Sequence, residues 1–202
     1  MNNNQDSKYN MREFLAFTAA SILEDGKAAF VGTELPMIAG MLAQKTHAPH
    51  LLIIFEAGGV GPILPELPIS VGQALTCYRG IAATSMHDVM SSCQAGYIDY
   101  GFLGGAQVDI YGNINTTCIG DHDLPKVRLP GSGGANDIAS FAHKTIIIVG
   151  GQSKRTFVNK VDFLTTPGYL SGPGAREKAG LPSGTGPFRV ITQLAVYGFD
   201  EK

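Results

Sequence analysis

Residues 51–61 read LLIIFEAGGVG, so that five apolar residues deliver one carboxylate, Glu56, to the point where the run breaks into Ala57, Gly58, Gly59 and Gly61. An apolar run of this length bounded by glycine reads as a buried strand, and its end faces open space. Apolar surroundings raise a carboxyl pKa unless donors compensate, and bare glycine N–H groups beside it could stabilise an oxyanion. An acid placed this way can serve as a helix cap or a structural hydrogen-bond acceptor. It can equally attack an acyl group as a nucleophile.

Other groups offer less. Three glycine-rich turns, at residues 58–61, 104–105 and 131–134, each follow an apolar run, and carboxyl ends of parallel strands are where α/β sheets bind ligands. The first only superficially matches a dinucleotide fingerprint, because Pro62 and Leu64 stand where the third glycine and the helix belong. There is no phosphate-binding G-x-x-x-x-G-K-[ST] and no G-x-S-x-G elbow; Ser132 lies inside G-S-G-G. His47 and His50 flank Ala48-Pro49 and read as a helix-end turn, and Asp121-His122-Asp123 reads as solvated turn chemistry before Pro125, so no metal site is expected. Cys77, Cys93 and Cys118 form no C-x-x-C pair and read as small core or near-core groups, while Lys154-Arg155 reads as a solvated face.

The elements that must position these groups follow from periodicity. Residues 11–25 carry Phe14, Leu15, Thr18, Ile22 and Leu23 at helical spacing, with Gly26 where a left-handed cap would sit. Residues 27–31 form a short strand, and Pro36 opens an amphipathic helix with Met37, Ile38, Met41 and Leu42. With the strand at 51–55 this gives a right-handed parallel crossover. Pro62, Pro65 and Pro68 exclude a helix over 58–70, which is expected as a long loop. Ser85 with Asp88 forms a capping box for a helix over 85–94. A strand follows at 98–103, then a hairpin or bulged strand over 107–117 around Tyr111-Gly112-Asn113. Dense turn chemistry at 129–137 precedes a short helix and a strand at 145–149; after a Gly/Pro-rich excursion at 166–187, residues 189–199 return as one or two strands. The fold class is α/β, a largely parallel sheet flanked by helices.

With 202 residues, 44% of them hydrophobic, the chain can bury one substantial core, expected as a single domain over residues 11–202. Residues 1–10 are polar and asparagine-rich without the apolar core of a signal peptide, and read as a disordered tail. A net charge of −2 gives no basic field for nucleic acid or an anionic membrane. No apolar run reaches the roughly 18 residues of a membrane helix, and the cysteine usage fits the cytoplasm. The 26 glycines, about twice the usual share, gather in loops, as close approach of backbone to a ligand or another chain requires.

Several stretches together carry a resemblance: THAP at 46–49, FEAG at 55–58, GFLGGAQVD at 101–109, YGNINTT at 111–117, IGDHDLPKVRLPGSGGAN at 119–136 and DFLTTPGYLSGPGAREKAGLP at 162–182. Through them the chain, from about residue 11 to its end, resembles the B (β) subunit of family I coenzyme A transferases, glutaconate CoA-transferase type. The resemblance implies an α/β subunit paired with a similarly folded A (α) subunit, an active site at their interface, and heterotetramers or larger assemblies. It implies no metal and no permanently bound cofactor, with coenzyme A esters as substrates. The family's nucleophilic glutamate falls on Glu56, which would pass through an acyl-glutamyl anhydride and a glutamyl-CoA thioester. The family's G-x-G-G-A oxyanion loop falls on Gly131, Gly133, Gly134 and Ala135, and Gly104, Gly105 and Gln107 are further candidates for lining the pocket. Relatives that lost the glutamate act as decarboxylases or ring-opening hydrolases, and its presence here favours transfer. A CoA-thioester hydrolase or decarboxylase, or a non-catalytic subunit that binds CoA esters, is the alternative.

Overall fold

A computed structural model describes residues 10–199 of the chain. Of the tail expected at 1–10, only Asn10 is among them, and it is ordered as the cap of helix α1 (Met11–Ala20): its side chain accepts from the Glu13 N–H at 3.0 Å while Glu13 accepts from the Asn10 N–H at 2.9 Å. The helix expected over 11–25 stops at Ala20. Thr18 and Ser21 hydroxyls donate back to the Phe14 and Thr18 carbonyls, offering the backbone an alternative to another helical turn.

The chain then runs β1 (Ala28–Phe30), α2 (Leu35–Thr46), β2 (Leu52–Ile54), β3 (Gly59–Val60), a 3-10 turn (Ala74–Cys77), β4 (Ala82–Ala83), α3 (Met86–Gln94) and β5 (Tyr100–Leu103). It continues through β6 (Gln107–Val108), β7 (Ile114–Asn115), β8 (Cys118–Ile119), β9 (Val127–Arg128), α4 (Ala135–Phe141), β10 (Lys144–Ile148), α5 (Ala175–Lys178), β11 (Pro187–Ile191) and β12 (Val196–Tyr197). The main sheet has the order β12-β11-β10-β5-β1-β2-β3-β4, parallel from β11 to β2 and antiparallel at its edges. The expected class therefore holds. The chain starts at β1, moves to β2 on one side and returns to β5 on the other, so the strand order reverses between β1 and β5. The crevice outside the carboxyl ends of these strands is where such sheets bind ligands.

The long loop expected over 58–70 is a correction. The chain turns back at once: Gly58 N–H donates to the Phe55 carbonyl at 3.0 Å, Phe55 N–H to the Gly59 carbonyl at 2.8 Å, and β3 pairs with β2. Glu56 and Ala57 form the tip of a three-residue hairpin loop whose last residue, Gly58, has φ +112°. Irregular structure begins only after β3, where the prolines sit. The hairpin expected at 107–117 is present as β6–β7, its turn held by Asp109, whose carboxylate accepts from the Tyr111 and Asn113 N–H groups at 3.0 Å each.

Side chains alternate across the sheet. Ile53 and Phe55 pack beneath α1 and α2 with Leu15, Met37 and Ile146, whereas Ile54 packs on the other face with Val89 and Cys93 of α3 and Ile138 of α4. Continued by one residue past Phe55, the alternation sends Glu56 toward the α3/α4 layer. No helix among the described residues is long and apolar enough to cross a membrane.

Candidate functional site

Glu56 does lie against that layer. It is half-buried, and among the described residues its carboxylate takes part in no hydrogen bond or ion pair. It caps no helix: α2 and α4 have no side-chain cap, and α3 is capped by Ser85. A Cβ added to Gly134 would stand 2.9 Å from Glu56 Oε1 and overlap the terminal methyl of Met90. The first and third glycine turns therefore converge, the carboxylate resting over the Cα of Gly134 with α3 beside it. The N-terminus of α3 also locks the hairpin: Thr84 N–H donates to the Gly58 carbonyl at 2.9 Å, and a Cβ on Gly58 would collide with the Thr84 carbonyl.

The glycines of G-S-G-G-A serve different ends. Gly131 (φ +94°) and Gly133 (φ +51°) have open space around them, so glycine is needed there for backbone conformation. Gly134 has φ −76° and ψ 0°, open to any residue, so glycine is needed there for clearance. Gly131 N–H donates to the Thr116 carbonyl and Thr116 Oγ1 to the Gly131 carbonyl, both at 2.8 Å. Asn136 Nδ2 ties the far end to the Thr165 carbonyl at 3.0 Å. Within the turn, Ala135 N–H donates to the Ser132 carbonyl and Asn136 N–H to Ser132 Oγ. Among the described residues, the amides of Ser132, Gly133 and Gly134 have no acceptor. Of the four expected loop residues, Gly131 and Ala135 thus shape the turn with their amides committed, while the Gly133 and Gly134 amides have no acceptor and Gly134 lies against Glu56.

The other end of α4 is held by Arg176. Its guanidinium is buried, 2% exposed, and donates to the carbonyls of Ala139 and Ser140 at 3.1 Å, of Pro167 at 3.1 Å and Gly168 at 2.8 Å, and to Thr185 Oγ1 at 2.8 Å. A cation over the last carbonyls of a helix is favourably placed, and here it fixes the helix that carries Gly134.

Gly104 and Gly105 end β5, at the strand-order reversal. β1 separates β5 from β2, so they stand about two strand spacings, roughly 10 Å, from the strand that leads to Glu56. A Cβ on Gly105 would overlap Ile114, so this glycine lets the β6–β7 hairpin fold onto the strand end. The Gln107 side chain is buried and committed, accepting from Asn115 Nδ2 at 2.7 Å and the Asp162 N–H at 2.9 Å while donating to Asp162 at 3.1 Å. It braces the hairpin under the loop.

Met90, Thr116 and Thr165 escape sequence reasoning, because nothing local distinguishes them. Glu34, between β1 and α2, is another: its φ of +62° is unusual for a residue with a side chain, and its carboxylate makes a loose exposed pair with Arg12 at 3.6 Å. The remaining candidates behave as turns and core. His47 Nε2 meets the Leu23 carbonyl and His50 pairs with Asp25, the 121–123 segment is exposed, Cys93 and Cys118 are buried, and Cys77 is half-buried. No group of three metal-ligating side chains occurs among the described residues.

The family model for coenzyme A transferase matches residues 13–202. The chain is 43% identical over 191 residues to the B subunit of 3-oxoadipate CoA-transferase from Pseudomonas knackmussii, covering 94% of this chain and 73% of that one. It is 39% identical over 202 residues to the B subunit of glutaconate CoA-transferase from Acidaminococcus fermentans, covering 97% and 75%. The crystal structure of the Acidaminococcus fermentans glutaconate CoA-transferase matches with a TM-score of 0.90 at 38% identity, over 96% of this chain and 76% of that one. The decarboxylase AibA/AibB matches with a TM-score of 0.78 at 25% identity, over 93% and 72%. The chain belongs to the coenzyme A transferase family and is a B-type subunit of a family I, glutaconate CoA-transferase-like enzyme.

Proposed function

We propose that Glu56 is the covalent nucleophile of a CoA transfer between an acyl-CoA of a carboxylic or dicarboxylic acid and a free carboxylate. The observation that carries this reading is the position of its unbonded carboxylate over Gly134, in a turn whose Gly133 and Gly134 amides have no acceptor. Glu56 Oε attacks the thioester carbonyl, and the carbonyl oxygen gains negative charge that the Gly133 and Gly134 N–H groups meet in a fixed orientation, at no cost of reorganisation. The C–S bond breaks, leaving an acyl-glutamyl anhydride and CoA thiolate. The thiolate attacks the glutamyl carbonyl and displaces the first acid as its carboxylate, giving a glutamyl-CoA thioester. The acceptor carboxylate attacks that carbonyl and releases the thiolate, which takes the new acyl group from the resulting anhydride and restores Glu56. Every step exchanges one acyl oxygen or sulfur for another, so no redox partner enters.

The relatives named as B subunits support an A-type partner, and the reading adds a heterotetramer or larger assembly in the cytoplasm. Ile63, Ile69, Ile81 and Met86 are exposed around the β3–β4 edge beside the Glu56 hairpin, apolar surface of the kind a partner covers. The test is to incubate the assembled complex with acyl-CoA, reduce with borohydride and map the modified residue by mass spectrometry. Reduction at Glu56 is expected, with loss of turnover by several orders of magnitude in Glu56→Ala and Glu56→Asp. An unmodified Glu56 in a substrate-competent complex sinks the covalent mechanism, and CoA release without any acceptor acid favours the hydrolase.

A further inference from the structure

Met90 is a large apolar side chain placed at the same point as the Glu56 carboxylate. Its methyl and Glu56 Oε1 both crowd the position that a Cβ on Gly134 would take. It is only half-buried, in contrast to its neighbours Val89 at 2% and Cys93 at 0% exposure, which face the core. The helix that carries it is fixed independently of the core contacts. Ser85 Oγ accepts from the Asp88 N–H at 3.1 Å, and Asp88 accepts from Thr84 and Ser85, while Thr84 is bonded to the Glu56 hairpin through Gly58. The backbone that carries Met90 is therefore tied to the Glu56 hairpin through a few short connections, while the side chain itself keeps its freedom.

An acyl carbon bonded to Glu56 Oε, with its oxygen toward the Gly133 and Gly134 amides, must sit over Gly134. Its substituent then leaves past whatever else lies over Gly134, and that is the Met90 thioether. We propose that Met90 is the specificity-determining wall of the acyl pocket, limiting the bulk next to the reacting carbonyl; this rests on the nucleophilic reading of Glu56. An unbranched, polarisable side chain fills the gap when the acyl group is small and swings aside in part when it is larger, so the limit is graded. The acyl groups favoured are unbranched next to the carbonyl.

The test uses the complex with its A-type partner and two donors, acetyl-CoA and isobutyryl-CoA, with kcat/KM measured for each and Glu56 adduct formation recorded in the same samples. Met90→Ala should raise the isobutyryl to acetyl ratio by about tenfold or more, the discrimination that one or two methyl-sized groups can supply. Met90→Phe should lower it, which keeps the proposal testable if the alanine variant assembles poorly. A ratio unchanged within about twofold in both variants, with Glu56 adducts still forming, overturns the role of Met90 alone. Absence of a Glu56 adduct in the unmodified complex overturns it together with the nucleophilic mechanism.

Discussion

Gly134→Ala separates space from conformation at the site. With φ −76° and ψ 0°, alanine fits the backbone without strain, and fewer unfolded conformations should stabilise the fold by about 0.4–1 kcal/mol. Against this, the new methyl would overlap Met90 Cε and approach Glu56 Oε1 to 2.9 Å. Both are ends of flexible side chains, so the overpacking cost should stay near the low end of the usual ~1–3 kcal/mol. The two effects nearly cancel, and for a chain of this size a residual 1 kcal/mol shifts Tm by about 2–4 °C. Turnover should not be spared, because the side chains that yield are the proposed nucleophile and its neighbour. Displacement of a reacting group by about 1 Å costs roughly 100-fold, or about 2.7 kcal/mol of transition-state stabilisation. In the assembled complex, kcat/KM for CoA transfer should fall about 100-fold while the thermal transition moves by a few degrees at most. Met90→Ala combined with Gly134→Ala relieves one of the two collisions and should recover part of the loss. Activity within about threefold of the unmodified protein in Gly134→Ala would refute the idea that this glycine exists to seat the carboxylate.

Two other perturbations test the scaffold. Arg176→Met removes the donors to four carbonyls and Thr185 Oγ1 and leaves them buried, so unfolding in urea should show a loss of at least about 3 kcal/mol with an unchanged slope, whereas an unchanged midpoint would deny the clamp. Hydrogen bonds from the Thr84 hydroxyl, then from Ser85, hold the Asp88 carboxyl at about 2, below its ordinary 3.8, so its support of the α3 cap is complete above 3.8 and is lost as pH falls through 2. Amide exchange at Val89, whose N–H donates to the Ser85 carbonyl, should accelerate across that window, and Asp88→Asn should remove the pH dependence.

How far the sequence carries depends on whether the signal is local. The run at 51–55 and the glycines after it are local, and they predict the strand and its end at Glu56, but an all-apolar run does not say which face Glu56 takes. The capping boxes at Asn10 and Ser85 are local too, although only the second is readable as S-x-x-D. The strands β3 and β4 are two residues long, too short for any periodicity, and exist because β2 offers an edge to pair with. The hairpin at Glu56 is therefore hidden inside what reads as a loop. Gln107 shows the opposite error of scale: a polar residue in a glycine-rich loop invites assignment to the pocket, yet Asn115 and Asp162, one distant in sequence, consume both ends of its amide. Met90 carries no signal, since a methionine on an amphipathic helix is ordinary and its meaning comes only from meeting Gly134.

The G-S-G-G-A loop shows why a motif can be recognised without being understood. Its three glycines are identical as letters, but substitution would injure the protein in different ways. At Gly131 and Gly133 a side chain meets nothing within 4 Å and would strain the backbone, altering the direction of the free amides. At Gly134 the backbone would tolerate a side chain and the carboxylate would not. Thr116 on one side and Asn136 on the other fix the turn by bonds that spare the Gly133 and Gly134 amides, leaving those two without acceptors. A donor left unpaired costs stability, on the order of 1–3 kcal/mol when fully desolvated, and half-buried Gly134 bears part of that cost. A fold that bears it in a turn set against a carboxylate that is also unbonded leaves donors and carboxylate free for a common partner, and under the proposed mechanism the thioester carbonyl, which needs one of each, is that partner.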